Sequence, residues 1–398
     1  MTHSRAQRLA LTLYAYAFLD DCVLLYPVYA LLFTDTGLSV GQISSLFALW
    51  SATGVLLEVP SGAWADAVSR RLLLWLGPLL TAAGFTLWVL HPAYWSFALG
   101  FVLWGTRGAL ASGALEALIH DELDRLGAAD RYPRLMGRAR AAGLLGVMTA
   151  TALAGPVLRA GGYPAVGAAS VLACLLTTAV ATGFPEHRHT AAGPSEGWSA
   201  ILRSGLATVR ANRRVRAAVL LVPAVSAIWG ALDEYTPLLV RETGVPEVSV
   251  PFFLLLIWAG ATAGGLLTGP CARLGSRGLA TVLAAGALAL STGALARAPA
   301  GLPLIALSFG AFQLATVLAD ARLQRRLDDT TRATVTSLAG LGTDLTTIAV
   351  YGTYAALTTQ SSHAVTFAAL AAPYLLTSAL LLRGQAPAAT TAGSRVRR

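Results

Sequence analysis

Acidic and basic side chains interrupt several long apolar runs of this sequence. Asp20 and Asp21 lie in the first run, Arg107 lies in the fourth, and Asp233 and Glu234 lie in the seventh. If these runs cross a membrane, each charge costs roughly 3 kcal/mol at the centre and has to face a partner or a water-filled cavity. Carboxylates and a guanidinium in such places can form an ion pair and can take part in proton transfer.

Helical spacing decides which of these side chains can share a face. Tyr16 and Asp20 are four residues apart and share one face, whereas Asp20 and Asp21 point about 100° apart. We expect Asp20 or Asp21 to neutralise Arg107 across a central cavity. Such a pair could act as a proton switch; the alternative is a permanent structural ion pair.

The seventh run adds an aromatic residue to this picture. Ser226, Trp229 and Asp233 form one stripe at helical spacing, so Trp229 is a candidate for cation–π contact with a lipophilic cation. For aromatic residues in general, the alternative is packing between helices or in the interfacial belt. The expected substrate- and proton-binding residues are Tyr16, Asp20, Asp21, Arg107, Trp229, Asp233, Glu234, Gln313 and Asp344.

Composition indicates the class of protein that must hold these residues in place. The chain has 398 residues, of which 55% are hydrophobic and 12% are charged. Soluble domains carry roughly 25% charged residues. Each apolar run is about 20 residues long, which suits a spanning helix and is too long for a barrel strand. The expected fold class is therefore an all-α polytopic membrane protein.

Twelve transmembrane helices are predicted, in two six-helix bundles around a central cavity. The expected domains are an N-terminal bundle (1–184), a cytoplasmic linker (185–215), a C-terminal bundle (216–383) and a disordered cytoplasmic tail (384–398). The predicted helices cover 9–33, 41–61, 72–90, 95–119, 138–158, 163–184, 216–240, 248–269, 279–297, 301–321, 333–358 and 363–382.

The basic residues predict the orientation of these helices. All 29 are Arg, and 25 of them fall on alternate connections and the two termini, with three on the other side. Positive residues concentrate on the cytoplasmic side, so both termini are expected to be cytoplasmic and the location to be the cell's plasma membrane. The net charge of +9 then reflects contact with the lipid bilayer and predicts no nucleic-acid partner.

The two halves also match in sequence. A shift of 207 residues places Thr36-Gly37 on Thr243-Gly244 and Arg70 on Arg277. Parallel repeats of six helices are a common way of building secondary transporters.

The connection after the second helix carries the most specific motif. The segment "GAWADAVSRR" (62–71) resembles the loop signature of the major facilitator superfamily, with matches at Gly62, Asp66, Arg70 and Arg71. In that family the Asp and Arg latch neighbouring helix ends on the cytoplasmic face. The second-half copy, "GPCARLGSR", has Arg273 in place of the Asp, so no second latch is expected.

Two further stretches resemble drug-exporter-like members of this family. Residues 107–123 resemble the fourth helix of such members, which implies that Arg107 takes part in proton coupling. Residues 153–163 partly resemble the antiporter signature of the fifth helix, although the spacing is two residues longer. Glu116 and Asp121, toward the inner end of the fourth helix, join the expected conformational latch.

The leading functional hypothesis is a proton-coupled exporter of small lipophilic or cationic molecules. No nucleotide-binding loop or soluble domain is found in the sequence, so a proton gradient is the expected energy source and no cofactor or metal is expected. The alternatives are proton-coupled uptake of a polar small molecule and a transport-inactive sensor. An enzyme is not expected, because the six His residues show no ligand spacing. A small-molecule substrate and a monomeric state complete these expectations.

Overall fold

The structure is a computed structural model that describes residues 2–67, 69–111, 113–185, 206–207, 209–327 and 329–383. The side chains of residues 2–4, 58–67, 329–331 and 333 lie outside this description. Most of the predicted linker and the whole predicted tail also lie outside the described residues.

Within these ranges the chain is helical, without a β-strand. The helices are α1 (Thr2–Asp21), α2 (Tyr29–Asp35), α3 (Val40–Ala67), α4 (Arg70–Leu90), α5 (Tyr94–Ala111), α6 (Ala114–Arg125), α7 (Tyr132–Ala181), α8 (Arg213–Glu242), α9 (Val250–Leu266), α10 (Thr268–Cys271), α11 (Ser276–Leu295), α12 (Leu302–Gln324), α13 (Asp329–Thr358), α14 (His363–Leu370) and α15 (Ala372–Arg383).

In the described part of the chain, eight helical segments are long and apolar enough to cross a membrane. One of them, Ala129–Ala181, spans 53 residues and covers the predicted fifth and sixth helices. The three predicted spans without such a segment correspond to α1 with α2, α5 with α6, and α13. The first two are interrupted helices that carry Asp20, Asp21 and Arg107, and these charges make their sequences less apolar.

Several pairs of equivalent helices pack on each other in both halves. In the N-terminal half α1 packs on α7, α3 and α4 pack on α5, and α4 packs on α7. In the C-terminal half α8 packs on α13, α9 and α11 pack on α12, and α11 packs on α14 and α15. Between the halves, α3 packs on α13 and α7 packs on α9. Replacing each helix by its equivalent in the other half converts the α3–α13 contact into the α7–α9 contact, as two parallel repeats require.

The sequence repeat is visible at the ends of α2 and α8. Gly37 and Gly244 follow these helices with φ of 90° and 85°, a left-handed conformation that glycine adopts without a side-chain clash. We call this end of the bundle the Arg-poor end. The opposite end, with the α3–α4 connection and the start of α7, is called the Arg-rich end.

The first predicted helix is wrong in one respect, because it is not continuous. The chain leaves the helix after Asp21 and resumes it at Tyr29. Pro27 lacks a backbone N–H and disfavours a helical residue before it. The broken segment is buried, and its Leu25 N–H donates to Ser170 Oγ at 3.0 Å, so the exposed backbone finds a partner inside the protein.

The predicted fourth helix is interrupted, whereas the predicted break between the fifth and sixth helices is confirmed. The fourth ends at Ala111 and restarts at Ala114, with Gly113 at φ 72°. The fifth and sixth are two helices within the range of α7, and they are separated at Gly161 and Gly162, whose backbone angles are not helical. These glycines lie in the predicted connection, residues 159–162, and allow the chain to turn there without a longer loop.

Candidate functional site

The charged residue of α5 is paired with the end of α1. The Arg107 guanidinium donates to the Asp20 carboxylate, and the two side chains keep 14% and 20% of their surface exposed. Asp20 lies in the last turn of α1, where backbone carbonyls already concentrate negative charge. A cation at this position therefore stabilises both the carboxylate and the helix end.

The surroundings of Arg107 place the pair inside the N-terminal half. A Cβ on Gly77 of α4 would lie 2.9 Å from Arg107 Cγ, so the missing side chain makes room for the Arg stem. The hydroxyl of Tyr16 in α1 also donates to the Leu74 carbonyl in α4, at 3.3 Å. The expected pairing of Arg107 with an acid of the first helix is confirmed, with Asp20 as the partner, and neither residue is among those that line the cavity between the halves described below.

Asp21 points to a different helix from Asp20. A Cβ on Gly143 of α7 would lie 2.3 Å from Asp21 Oδ2, and one on Gly146 would lie 2.2 Å from the Phe18 carbonyl. Small residues let two helix backbones approach closely. Asp21 thus faces the α1–α7 contact, whereas Asp20 faces Arg107, in agreement with the expected 100° separation.

A cavity of about 330 Å³ lies between the two halves. Its N-terminal wall consists of Trp50, Ser51, Gly54 and Val55 of α3 and of Gly105, Gly108 and Ala109 of α5. Its charged lining residue is Asp344 of α13, in the C-terminal half. The small residues of α5 face this cavity, while Arg107 on the same helix points in roughly the opposite direction.

An aromatic stack connects the ion pair to this cavity. Tyr26, in the break after α1, stacks on Trp104 with ring centroids 5.1 Å apart and planes 6° apart. Trp104 in turn stacks on Trp50, a cavity residue, at 4.7 Å and 25°. Trp104 and Arg107 are one turn apart on α5. A displacement of the segment after α1 would therefore be transmitted to the cavity wall through these stacked rings.

The acidic pair of α8 divides between two environments. Asp233 accepts a hydrogen bond from Trp258 Nε1 of α9 at 3.0 Å. Glu234 is half-buried, makes no hydrogen bond or ion pair with a described residue, and interacts electrostatically with Tyr235 and Tyr351. Tyr351 lies beside Ser51 of the cavity wall. Asp233 also interacts electrostatically with Tyr351, so both acids of α8 lie in the neighbourhood of this residue.

The predicted stripe of Trp229 and Asp233 does not form one surface. Trp229 Nε1 donates to Thr316 of α12 at 3.1 Å, and its ring packs on Phe309. Gln313 of α12 is half-buried, 3.9 Å from the position of a Cβ on Gly265. Trp229 and Gln313 thus belong to contacts of α12 within the C-terminal half.

The expected latch at the Arg-rich end is partly visible. Arg70, at the start of α4, forms an ion pair with Asp121 of α6 at 2.5 Å. Gly62 and Asp66 lie in the last turns of α3, beyond its predicted end, and their side chains lie outside the described residues. Arg71 is half-buried without a hydrogen bond or ion pair to a described residue, and Glu116 is exposed in the first turn of α6.

The second half joins the corresponding elements by a different contact. Arg322, near the end of α12, donates to the Leu274 and Gly275 carbonyls at 2.8 and 3.0 Å. These carbonyls belong to the turn before α11. The second-half copy of the motif lacks the acidic residue, and backbone carbonyls accept from an Arg side chain there instead.

Polar contacts between the halves gather at the Arg-poor end. Arg241 of α8 pairs with Asp35 of α2 at 2.5 Å, and the Ser44 and Tyr235 hydroxyls are 2.6 Å apart. The Tyr163 hydroxyl donates to Asp35 at 2.7 Å and lies in hydrogen-bond contact with Glu247. Three polar contacts between described residues of the two halves, Asp35–Arg241, Ser44–Tyr235 and Tyr163–Glu247, thus lie at this end.

Sequence reasoning missed this cluster of Asp35, Tyr163, Arg241 and Glu247. The sequence analysis counted Arg241 only as one of the three Arg residues on the non-cytoplasmic side. A signal was present, because Asp35 directly precedes Thr36-Gly37 and Arg241 lies two residues before Thr243, in the two Thr-Gly pairs that the repeat aligns. The structure therefore describes a molecule whose halves are bonded at the Arg-poor end.

Comparison with known proteins identifies this architecture. The model of the Major Facilitator Superfamily matches residues 11–351. No curated protein matches the sequence.

Solved structures share the fold at low sequence identity. A mutant form of the nucleoside transporter NupG aligns with a TM-score of 0.78 and 13% identity over 95% of this chain and all of that one. The POT family transporter PepTSo gives 0.70 and 11% over 95% and 98%, and a D-xylose–proton symporter gives 0.67 and 15% over 94% and 96%. The chain belongs to the major facilitator superfamily and is a membrane transporter rather than an enzyme.

Proposed function

We propose that this transporter exports small lipophilic cations in exchange for protons. The cavity between the halves carries this proposal. It is lined by Trp50 and Asp344 within otherwise small or apolar walls. An aromatic face and a carboxylate attract a cation together, and the apolar walls suit a lipophilic body.

Proton coupling is assigned to the Asp20–Arg107 pair. A carboxylate that is held by a buried Arg can gain a proton only when that contact loosens. Asp20 lies at a helix break, and the Tyr26–Trp104–Trp50 stack joins this break to the cavity. Binding at Trp50 is thereby coupled to the position of α1. The energy source is the proton gradient, without a cofactor.

The halves alternate access by rocking about the cavity. Contacts at the Arg-poor end hold that side closed, so the cavity opens toward the Arg-rich end. We assign the Arg-rich end, with both termini, to the cytoplasm, and the protein to the cell's plasma membrane as a monomer. In this arrangement the cavity receives its substrate from inside the cell.

The function is tested in proteoliposomes that contain a pH dye. The test substrate is a fluorescent lipophilic cation, in wild type and in Asp344→Asn, with Asp124→Asn on the exposed side of α6 as the matched control. Exchange predicts that protons leave the compartment that takes up the cation. Asp344→Asn should lose at least tenfold in cation transport, whereas Asp124→Asn should keep the wild-type rate.

Uptake of a polar molecule is the second candidate. The nucleoside transporter and the D-xylose–proton symporter of the same fold favour it. The proton signal separates the two, because a symporter moves protons in the same direction as a nucleoside or sugar. Protons that move with neither class of compound would contradict both proposals and favour a transport-inactive sensor.

A further inference from the structure

A second cavity, of about 520 Å³, lies at the Arg-rich end of the N-terminal half. It forms a groove between the first half of α1 and the start of α7, with α6 at its edge. The groove is separate from the central cavity, with which it shares no lining residue. The proposed transport mechanism does not use it.

Three Arg side chains occupy one side of this groove. Arg134 and Arg138 line it from one face of the start of α7, and Arg131 lines it from the residue just before this helix. All three are exposed, and among the described residues none of them forms an ion pair. The nearby Glu122 of α6 is instead held by Arg125 at 2.8 Å. The groove therefore has three Arg side chains on one side, and none of them forms an ion pair with a described acidic side chain.

The other side of the groove is mostly apolar. Besides Gln7, its lining consists of Ala6, Ala10, Leu11 and Tyr14 of α1, Leu123 of α6 and Leu135 of α7. The rise along α1 from Ala6 to Tyr14 is about 12 Å. Leu11 is 68% exposed. A hydrated ion would gain nothing from these walls, whereas a hydrocarbon chain would cover them.

We propose that this groove binds an anionic phospholipid, whose phosphate contacts Arg131, Arg134 and Arg138 and whose acyl chain lies along α1. Arg binds phosphate oxygens through two parallel hydrogen bonds, and basic pockets between helix ends bind the headgroups of anionic lipids. Three cations on one side of the groove favour a lipid with more than one negative charge. Cardiolipin, with two phosphates, is the matching probe.

Native mass spectrometry of the purified, delipidated full chain tests this proposal. Cardiolipin and phosphatidylcholine are added in separate titrations. The variant is Arg134→Gln/Arg138→Gln. The control is Arg140→Gln, which removes an exposed charge from the same helix but outside the groove. Cardiolipin should bind wild type and the control equally and the double variant roughly tenfold more weakly or worse, because each Arg attracts an anionic lipid separately.

Two additional measurements keep the result interpretable. Arg134→Lys/Arg138→Lys should recover most of the binding, because it restores the charge; recovery also shows that loss in the Gln variant is not misfolding. Inorganic phosphate at the same concentrations should not raise the melting temperature. Equal loss in Arg140→Gln would show attraction to the whole surface, equal stabilisation by phosphate would show a site for free anions, and equal binding of phosphatidylcholine would show an apolar crevice. Each of these results would overturn the proposal.

Discussion

At the scale of single residues, the direction of each charged side chain decides its role. Asp20 and Asp21 are neighbours in sequence, yet one contacts Arg107 and the other faces Gly143 of α7. Sequence reasoning located both acids and the Arg, since charges in apolar runs are conspicuous. It could not decide which of the two acids contacts Arg107, because the phase of a helix says nothing about which neighbour packs on each face.

Replacing Asp20 should uncouple transport and destabilise the protein. Asp20→Asn leaves Arg107 without its partner, which we expect to cost roughly 2–3 kcal/mol, less than for a fully buried pair because both side chains keep some exposure. Thermal unfolding in detergent measures the stability, and the pH dye in proteoliposomes measures the coupling. Asp21→Asn should keep more stability, because Asp21 makes no ion pair with a described residue.

The double variant Asp20→Asn/Arg107→Gln provides the control. Removing both charges should recover at least half of the lost stability without restoring proton movement. Proton-coupled transport at the wild-type rate in both Asp20→Asn and Asp21→Asn would disprove the assigned switch and leave a structural ion pair.

At the scale of elements, α8 is built to bend. Pro223 and Pro237 each remove a backbone hydrogen bond within the helix. Between these prolines, the Tyr374 hydroxyl bonds to two backbone groups of α8 that are four residues apart, as hydrogen-bonded partners in a helix are. It accepts from the Trp229 N–H at 2.9 Å and donates to the Val225 carbonyl at 3.4 Å. The proline positions could be predicted from sequence, but an inserted hydroxyl from a helix 145 residues away could not.

Removing this hydroxyl should slow transport more than it affects stability. In Tyr374→Phe the Trp229 N–H can bond directly to the Val225 carbonyl, so we expect a change of about 1 kcal/mol or less in stability. The closed helix should bend less readily, which lowers the maximal rate severalfold in a proteoliposome assay.

Tyr374→Leu separates packing from hydrogen bonding. Tyr374 is fully buried and stacks on Phe312 at 4.0 Å, so loss of the ring should lower the melting temperature markedly. A maximal rate in Tyr374→Phe equal to that of wild type would show that transport does not need the hydrogen bonds between the Tyr374 hydroxyl and the backbone of α8.

At the scale of the whole molecule, sequence reasoning predicted the twelve-helix class but not the state. The membrane determines the length of the apolar runs and the distribution of Arg, and the repeat determines the 207-residue shift. These features can therefore be recognised in a single sequence. Which end of the bundle is closed depends on contacts such as Asp35 with Arg241, 206 residues apart. In the proposed rocking mechanism such contacts form in one state and break in the other, and the same sequence has to encode both states.

Breaking the contacts between the halves should shift the molecule toward the opposite opening. A cysteine at Gly54, which lines the cavity and has open space around it, reports access in a chain whose native Cys residues are replaced. Arg241→Gln should slow its labelling by an impermeant maleimide from the Arg-rich side and permit labelling from the other side.

Arg297→Gln is the matched control for this measurement. Arg297 donates to Ser362 at 3.2 Å, so it contacts only its own half. Its loss should leave the labelling pattern unchanged. Equal labelling patterns in Arg241→Gln and wild type would mean that the Asp35–Arg241 pair does not hold the Arg-poor end closed.

The two halves respond unequally to the ionic strength of the surrounding water. Dissolved salt weakens the attraction between Arg70 and Asp121, since both are partly exposed full charges. Arg322 donates to neutral carbonyls, whose attraction for it is less easily screened. A rise in salt on that side of the membrane therefore loosens the first bundle before the second.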